Sequence, residues 1–430
     1  MALELQLPKG MRDLDPQDKI LQLKVLDTIR NVFELYGYLP LETPLVERLD
    51  VLTAKFAVGE GTDVSKEIFR VTDQGGRDLG LRFDMTVPLC RYVAMNPNVK
   101  VPFKRYAMGK VFRDGPIKLG RYREFWQADA DIIGVPGIEA DCEGVLMAVD
   151  VFQRLNLDIF IYFSSRELLH ELMEKIDIPK NFRSSTIIAL DKLKKIGHKQ
   201  VLAEMLEAGV NKEHGERLLG LIDMKGSNKR KISSLRKELK NSHALDNLES
   251  IIDSLKDVNS FIFDPSVSRG LEYYTGFFFE CFLTDSKISS SLVGTGRYDK
   301  MIGQFLGGKQ NIPGVGISFG VSVICDALRE KGEGARKSLT KVYLVPVSSN
   351  ERSYVMEIAR ILRADDIPTD MDLLGRNIGK NFAYADALGI PYVVVAGEDE
   401  VKKKSCTVKN MKSGKQEVME LSKVVQYLSV

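Results

Sequence analysis

One tryptophan, Trp126, stands among 430 residues, and the cysteines are few and scattered: Cys90, Cys142, Cys281, Cys325 and Cys406. No two have C-x-x-C spacing, so neither a zinc site nor a redox motif is signalled, and a reducing, cytoplasmic setting is expected. The four histidines, His170, His198, His214 and His243, are not paired at metal-ligand spacing, so no metal ligand is expected among them. No G-x-S-x-G elbow, Walker loop or H-E-x-x-H is present, which leaves phosphate handling, if any, to arginines. No apolar run is long enough to cross a bilayer, and residues 1–6 lack the basic start and apolar core of a signal peptide, so no membrane partner is expected. An excess of one charge is also missing: 61 Lys and Arg face 59 Asp and Glu, a net +2, so any surface for nucleic acid must be local.

What remains is an ordinary globular composition, 44% hydrophobic and 28% charged. At ~150 residues per domain the length implies two or three domains. Asp15-Pro16 reads as a helix N-cap followed by proline at the first helical position. Ile20, Leu21, Val25, Ile29, Val32 and Phe33 then recur at helical spacing until Gly37. Residues 38–47 contain two prolines and read as extended. From 77 to about 134 the period is two, which predicts strands. Residues 167–254 are rich in Leu, Lys and Glu, poor in Pro, and helical in period; they read as an inserted helical domain. Period two returns over 259–320, and the polar stretch 330–340 reads as a linker. Beyond it, strands at 342–347, 369–373 and 392–396 alternate with helices at 351–364 and 378–388, which predicts a small α/β domain with a largely parallel sheet. The resulting division is 1–166, 167–254, 255–329, 330–340 and 341–430.

Three segments carry polar residues at places that invite chemistry. In Leu81-Arg82-Phe83-Asp84-Met85-Thr86-Val87 the even positions are polar; as a strand it would set Arg82, Asp84 and Thr86 on one face, and a half-exposed strand explains the pattern equally well. Across 104–134, two strand-like stretches flank Asp114-Gly115-Pro116-Ile117-Lys118-Leu119-Gly120, which reads as a hairpin loop. On the return strand Arg121, Arg123, Phe125, Gln127, Asp129 and Asp131 share a face. Arginine forks suit phosphate, and the amide and carboxylates suit an ammonium or a polar ring; a ladder of surface ion pairs is the plainer reading. The third segment, Ser268-Arg269-Gly270-Leu271-Glu272-Tyr273-Tyr274-Thr275-Gly276, combines an arginine beside glycine with two ring walls. Phe277, Phe278 and Phe279 follow, so an aromatic core strand also fits. The basic stretch 225–240 reads as a solvated helix face or a contact for nucleic acid.

Arg269-Gly270-Leu271-Glu272-Tyr273-Tyr274-Thr275-Gly276 closely resembles the histidine-specific signature of histidyl-tRNA synthetases, and Gly296-Arg297-Tyr298-Asp299 resembles their second signature. Val111-Phe112-Arg113, followed by Gly120-Arg121-Tyr122-Arg123-Glu124-Phe125-Trp126-Gln127, is similar to class II motif 2. Leu81 to Pro88 is similar to the histidine-contacting strand, with Asp where others have Glu. Tyr36-Gly37-Tyr38 through Glu47 resembles motif 1, the dimer element. The resemblance covers essentially the whole chain, in order.

It implies an α+β class II core, an antiparallel sheet with helices, dimeric through motif 1, plus an inserted helical domain and a C-terminal α/β anticodon-binding domain. The implied activity is ATP-dependent activation of L-histidine and its transfer to tRNA(His), with Mg²⁺ screening the outer phosphates. Carried over by position, histidine would meet Asp84, Met85, Thr86, Arg113, Gln127, Asp131, Arg269, Tyr273 and Tyr274. ATP would meet Arg113, Arg121 and Phe125, and Arg269 and Arg113 would be the catalytic pair. The motif 2 loop would face the tRNA acceptor end, and Arg376 and Lys380 the anticodon stem. Three positions depart from the pattern: Val323 where motif 3 has an arginine, Gly115 where many relatives have glutamate, and Thr295 in place of a glycine. A synthetase-like regulatory subunit of ATP phosphoribosyltransferase shares the fold but generally lacks the last domain. Arg269→Ala is expected to reduce adenylation far more than it weakens histidine binding, because its charge is needed mainly in the transition state; equal losses in single-turnover rate and histidine affinity would refute that role.

Overall fold

The computed structural model describes residues 4–54, 66–117, 120–268, 273–308, 310–334 and 336–429. The chain divides into two compact units: one up to Arg12 and from Lys24 to Lys331, the other from Asp13 to Leu23 and from Gly332 onward.

In the first unit eight of the described strands form a sheet in the order Leu39–Pro40, Phe103–Phe112, Glu124–Ile133, Gly314–Gly320, Val293–Arg297, Phe277–Leu283, Ile159–Ser165 and Phe261–Phe263, and Val46–Arg48, Asp78–Leu81 and Arg70–Thr72 form a second, three-stranded one. In the eight-stranded sheet only the two outermost pairings are parallel; those between are antiparallel. The expected hairpin is there, in a register from Phe103 opposite Ile133 to Phe112 opposite Glu124. Its return strand lies between two hydrogen-bonded neighbours, so both edges are paired and the alternation decides what each face holds. Ala128, Ala130 and Ile132 enter an apolar layer, while Gln127, Asp129 and Asp131 point to the other side.

The apolar layer is sealed by helices. Helix Pro16–Leu35 begins as its sequence predicts, with Asp15 accepting from the Asp18 N–H (2.8 Å). Its Phe33 is fully buried, with ring centroids 5.7 Å from both Tyr106 and Phe319 and 6.2 Å from Tyr38. Between Arg166 and Ser254 the described elements are all helical. Four of the helices start on a side-chain cap, from Ser165, Asn211, Ser227 and Ser242, each satisfying an N–H that the first turn would leave bare.

The segment read as a strand over 81–87 is not one. The strand Asp78–Leu81 ends there and helix Thr86–Met95 begins. Asp84 Oδ1 accepts from the Val87 N–H (3.0 Å), a helix-starting bond that ends the extended stretch. Arg82 turns away, donating to the carbonyls of Thr43 (2.9 Å) and Lys110 (3.0 Å).

In the second unit the strands run in the order Thr369–Met371, Val342–Pro346, Tyr392–Ala396, Ser405–Asn410 and Gln416–Glu420. The first three are parallel, as the alternation predicts. The last two are an antiparallel addition that the sequence reading did not include. Their outward positions include Thr407, Lys409, Gln416, Val418 and Glu420, a mixed set that hides the inward Cys406 and Val408. Arg376 lies 4.5 Å from the Tyr384 ring centroid and near Asp372, so much of its charge is engaged within the fold, whereas Lys380 is exposed.

Phe33→Ala is expected to lower the stability of the first unit by about 3–5 kcal/mol, because an aromatic side chain is removed from a filled layer. Urea unfolding followed through Trp126, which lies in the same sheet, would show it; an unchanged midpoint would refute it.

Candidate active site

The polar face of the sheet opens into a narrow chamber lined by Asp84, Thr86, Arg113, Gln127, Asp129, Asp131, Tyr273, Tyr274 and Tyr298, with Gly294, Gly296, Gly316 and Ser318 as its floor. A wider cleft of about 630 Å³ adjoins it, a volume typical of small-molecule sites. Arg121, Phe125, Lys194, Lys195, Glu280, Ser322 and Val323 are among its walls. Arg113, Gln127, Gly294 and Ser318 line both spaces, so the two meet there.

The floor is built from glycines because the walls need the room. A Cβ on Gly296 would lie 2.1 Å from the Tyr274 ring, and one on Gly316 would lie 2.6 Å from the Asp131 carboxylate. Thr295, the departure beside Gly296, is buried and points the other way. Its hydroxyl accepts from the Phe279 N–H (2.8 Å) and bonds the Phe279 carbonyl (3.1 Å), stitching adjacent strands. Asp131 is held by Arg105, across the hairpin at 2.7 Å, and by the Tyr298 hydroxyl at 2.5 Å. Arg105 also donates to the Met85 carbonyl (2.9 Å), which ties the start of helix Thr86–Met95 to the sheet. The Met85 side chain does not line the chamber; it is buried with Ala107, Val111 and Phe125.

Arg113 is anchored by donation from Nε to the Phe83 carbonyl (3.1 Å), and its guanidinium lies 5.2 Å from the Phe125 ring centroid. Arg121 meets Glu67 (3.2 Å), and Arg123 meets Asp114 (2.8 Å), which commits that carboxylate. At Gly115 the Glu67 carboxylate fills the space a side chain would take, 2.5 Å from an added Cβ. A glutamate therefore reaches this loop from elsewhere in the chain. Arg269 to Glu272 lie outside the described residues, as do Lys118 and Leu119 of the loop.

Burial dominates the electrostatics. It pushes Asp84 up to about 6 and Asp129 to about 7, and raises Asp131 against the opposing pull of Arg105. Asp84 Oδ2 and Gln127 Oε1 are buried without a hydrogen-bond partner among the described residues. Such acceptors are costly unless a ligand supplies donors. The site thus presents acceptors in the chamber, guanidinium groups where chamber and cleft meet, and a ring beyond. That order suits a small cationic molecule whose far end meets a phosphate ester.

Among the sequence-derived residues, the structure brings together Asp84, Thr86, Arg113, Gln127, Asp131, Tyr273 and Tyr274 in the chamber, and Arg121 and Phe125 in the cleft. Reasoning from sequence assigned nothing to Arg105, Tyr298, Glu67 or Lys195. Tyr298 lies inside a recognised motif; the other three arrive from distant segments and carry no local signal. The four histidines lie outside the chamber. Of the basic stretch 225–240, Lys231 is buried on the Phe263 carbonyl (2.5 Å), and Arg236 is paired with Asp246 and Glu249.

A largely antiparallel sheet with this polar face is the catalytic fold of class II aminoacyl-tRNA synthetases. The family model for histidyl-tRNA synthetase matches residues 10–324, and that for the anticodon binding domain matches residues 341–430. A histidine–tRNA ligase 1 from Bacillus cereus is 38% identical over 99% of this chain and 100% of its own length. A crystal structure of histidyl-tRNA synthetase from Nostoc superposes with a TM-score of 0.86 at 28% identity, covering 100% of this chain and 99% of that one. A Bacillus halodurans structure described as an ATP phosphoribosyltransferase regulatory subunit/histidyl-tRNA synthetase gives 0.75 at 21% identity, over 92% and 99% of the two chains, a likeness of fold. The chain belongs to the histidyl-tRNA synthetase family.

Asp129 holds its proton up to about 7 in the folded state, whereas an unfolded chain releases it near ~4. Between those values the unfolded state binds fewer protons, so this group's contribution to stability falls as pH rises. Asp129→Asn keeps an acceptor for the Ser318 hydroxyl and is expected to stabilise the ligand-free protein at pH 8 by about 1–3 kcal/mol. The gain should shrink as the pH is lowered toward 5. Thermal melts of both proteins across that range test this, and a difference independent of pH would refute it.

Proposed function

We propose that this protein activates L-histidine with ATP and transfers it to tRNA(His), working as a cytoplasmic homodimer. The observation that carries the reading is the junction of chamber and cleft at Arg113, which sets an acceptor-lined pocket for an amino acid against a nucleotide-sized cleft.

The histidine ammonium would sit against Asp84, Thr86 and Gln127, with the unpartnered oxygens of Asp84 and Gln127 as acceptors. The imidazole would meet Asp131, fixed by Arg105 and Tyr298, with Tyr273 and Tyr274 as ring walls. The carboxylate would then point to Arg113. Adenine would stack on Phe125, with Arg121 nearer the phosphates. One carboxylate oxygen attacks the α-phosphorus, the bond to the bridging oxygen breaks, and pyrophosphate leaves. Arg113, with Arg269 assigned by sequence resemblance, absorbs the charge that develops. The 3′-hydroxyl of the terminal ribose of the tRNA then attacks the acyl carbon and releases AMP.

ATP would enter as its Mg²⁺ complex. Among the described residues no cluster of three or more His, Cys, Asp or Glu side chains is placed to hold a resident ion. Asp191 and Glu280 are the carboxylates of the cleft wall among the described residues, too few for a resident site, which fits an ion carried chiefly by phosphate oxygens. Domain roles follow the sequence division: a catalytic core at 1–166 and 255–329, a helical insertion at 167–254, a linker at 330–340 and an anticodon-binding domain at 341–430. Dimerisation through the motif 1 segment is supported by its exposed apolar side chains Leu39, Leu45 and Val46. Among the described residues no helix is long and apolar enough to cross a membrane.

ATP–pyrophosphate exchange with each of the twenty amino acids should respond to histidine alone, and exchange with none would overturn the reading. Asp131→Asn should raise the KM for histidine by about tenfold or more, since a site built for a polar ring is left with a mismatched group. The KM for ATP should change by less than about twofold. Parallel losses for both substrates would refute this role for Asp131.

A further inference from the structure

The cleft read above as the ATP site must hold a polyanionic tail, yet its wall at Ser322 and Val323 is neutral. Val323, at the start of helix Val321–Glu330, lines it with Ser322, and the Val323 methyls lie 3.7–3.8 Å from a Cβ built on Gly120. Among the described residues four cations line the cleft: Arg113, Arg121, Lys194 and Lys195. Arg113 stands at the junction with the chamber, where the α-phosphate would lie. Arg121 is paired with Glu67 at 3.2 Å. Lys194 is paired with Asp264 at 2.8 Å and lies 3.7 Å from the Tyr162 ring centroid. Lys195 is exposed and has no ionic partner among the described residues.

The backbone explains why that cation sits over the cleft. Within Leu193–Glu207 the helix is broken at Gly197, where φ is +77°, a conformation glycine adopts without strain. The turn before the break is anchored by buried Leu193 and by the Lys194–Asp264 pair, and it presents Lys195 to the cleft independently of the helix that follows.

We propose that Lys195, delivered by the helical insertion, binds the terminal phosphates of ATP and supplies the positive charge that the wall at Val323 lacks. The proposal rests on the nucleotide reading of the cleft. It makes the insertion a part of the adenylation site.

Calorimetric titration of the full-length protein with ATP and, separately, with AMP, both with Mg²⁺, tests it. Lys195→Ala should weaken ATP about tenfold, as loss of one charge-assisted phosphate contact does, and leave AMP within about twofold. Lys199→Ala, beyond the Gly197 break and away from this cleft, should change neither. Adding Val323→Arg to Lys195→Ala, which returns a cation from the opposite wall, should restore most of the ATP affinity. Steady-state exchange should show the same defect in the KM for ATP with the KM for histidine unchanged. Unchanged ATP affinity in Lys195→Ala, equal weakening of ATP and AMP, or a defect confined to the KM for tRNA would each overturn the assignment. Failure of the wild-type protein to bind ATP would instead overturn the nucleotide reading itself.

Discussion

Three carboxylates, Asp129 and Asp131 on one face of the sheet and Asp84 just before a helix, are withdrawn from water around one chamber, and much of the site follows from that burial. Charge placed in such surroundings costs free energy unless it is paired. Arg105 meets part of the cost at Asp131, the Ser318 hydroxyl part of it at Asp129, and the Val87 N–H part of it at Asp84. What is left is a demand for a cation and for hydrogen-bond donors, which a zwitterionic amino acid with a polar ring brings. The imbalance in the site is electrostatic, and ligand affinity draws on it. The floor of glycines belongs to the same economy, since the carboxylates and rings approach the backbone closely enough that no side chain fits between them.

The fold was most legible where burial imposes a period. The hairpin and its return strand read correctly because a strand between two neighbours must sort its residues by face. Two of the parallel strands of the C-terminal unit, Val342–Pro346 and Tyr392–Ala396, read as continuous apolar runs, as strands covered on both faces do. Over 81–87 an equally good alternation misled, because there it arose from two unrelated demands. Arg82 is spent on carbonyls beneath the hairpin, and Asp84 starts a helix. The strands Ser405–Asn410 and Gln416–Glu420 were missed for the opposite reason, their mixed outward residues masking a short inward pattern.

The site was legible where its residues come from contiguous motifs and illegible where they arrive alone. Gln127, Asp131, Tyr273 and Tyr274 belong to recognisable strings, whereas Glu67 and Lys195 meet the motif 2 side of the cleft only through the fold. Met85 shows the limit of the strings themselves. It lies between two chamber residues in sequence, and its side chain is nevertheless buried beneath Phe125. The departures at Gly115 and Thr295 have local answers in Glu67 and in the bonds to Phe279. Both are single substitutions whose compensation is distant in sequence and close in space.

Asp84 has one oxygen in the helix and one in the chamber. A side chain one carbon longer could keep the ligand contact or the helix bond at the same backbone position, but not both without moving the chain. Side-chain length at this position therefore acts as a spacer that fixes how far the start of helix Thr86–Met95 stands from the bound amino acid. A glutamate there would require the helix to stand further back or to begin by other means. The depth of the pocket and the phase of that helix are set together by one side chain, and an exchange of the two acids is a change of architecture as much as of chemistry.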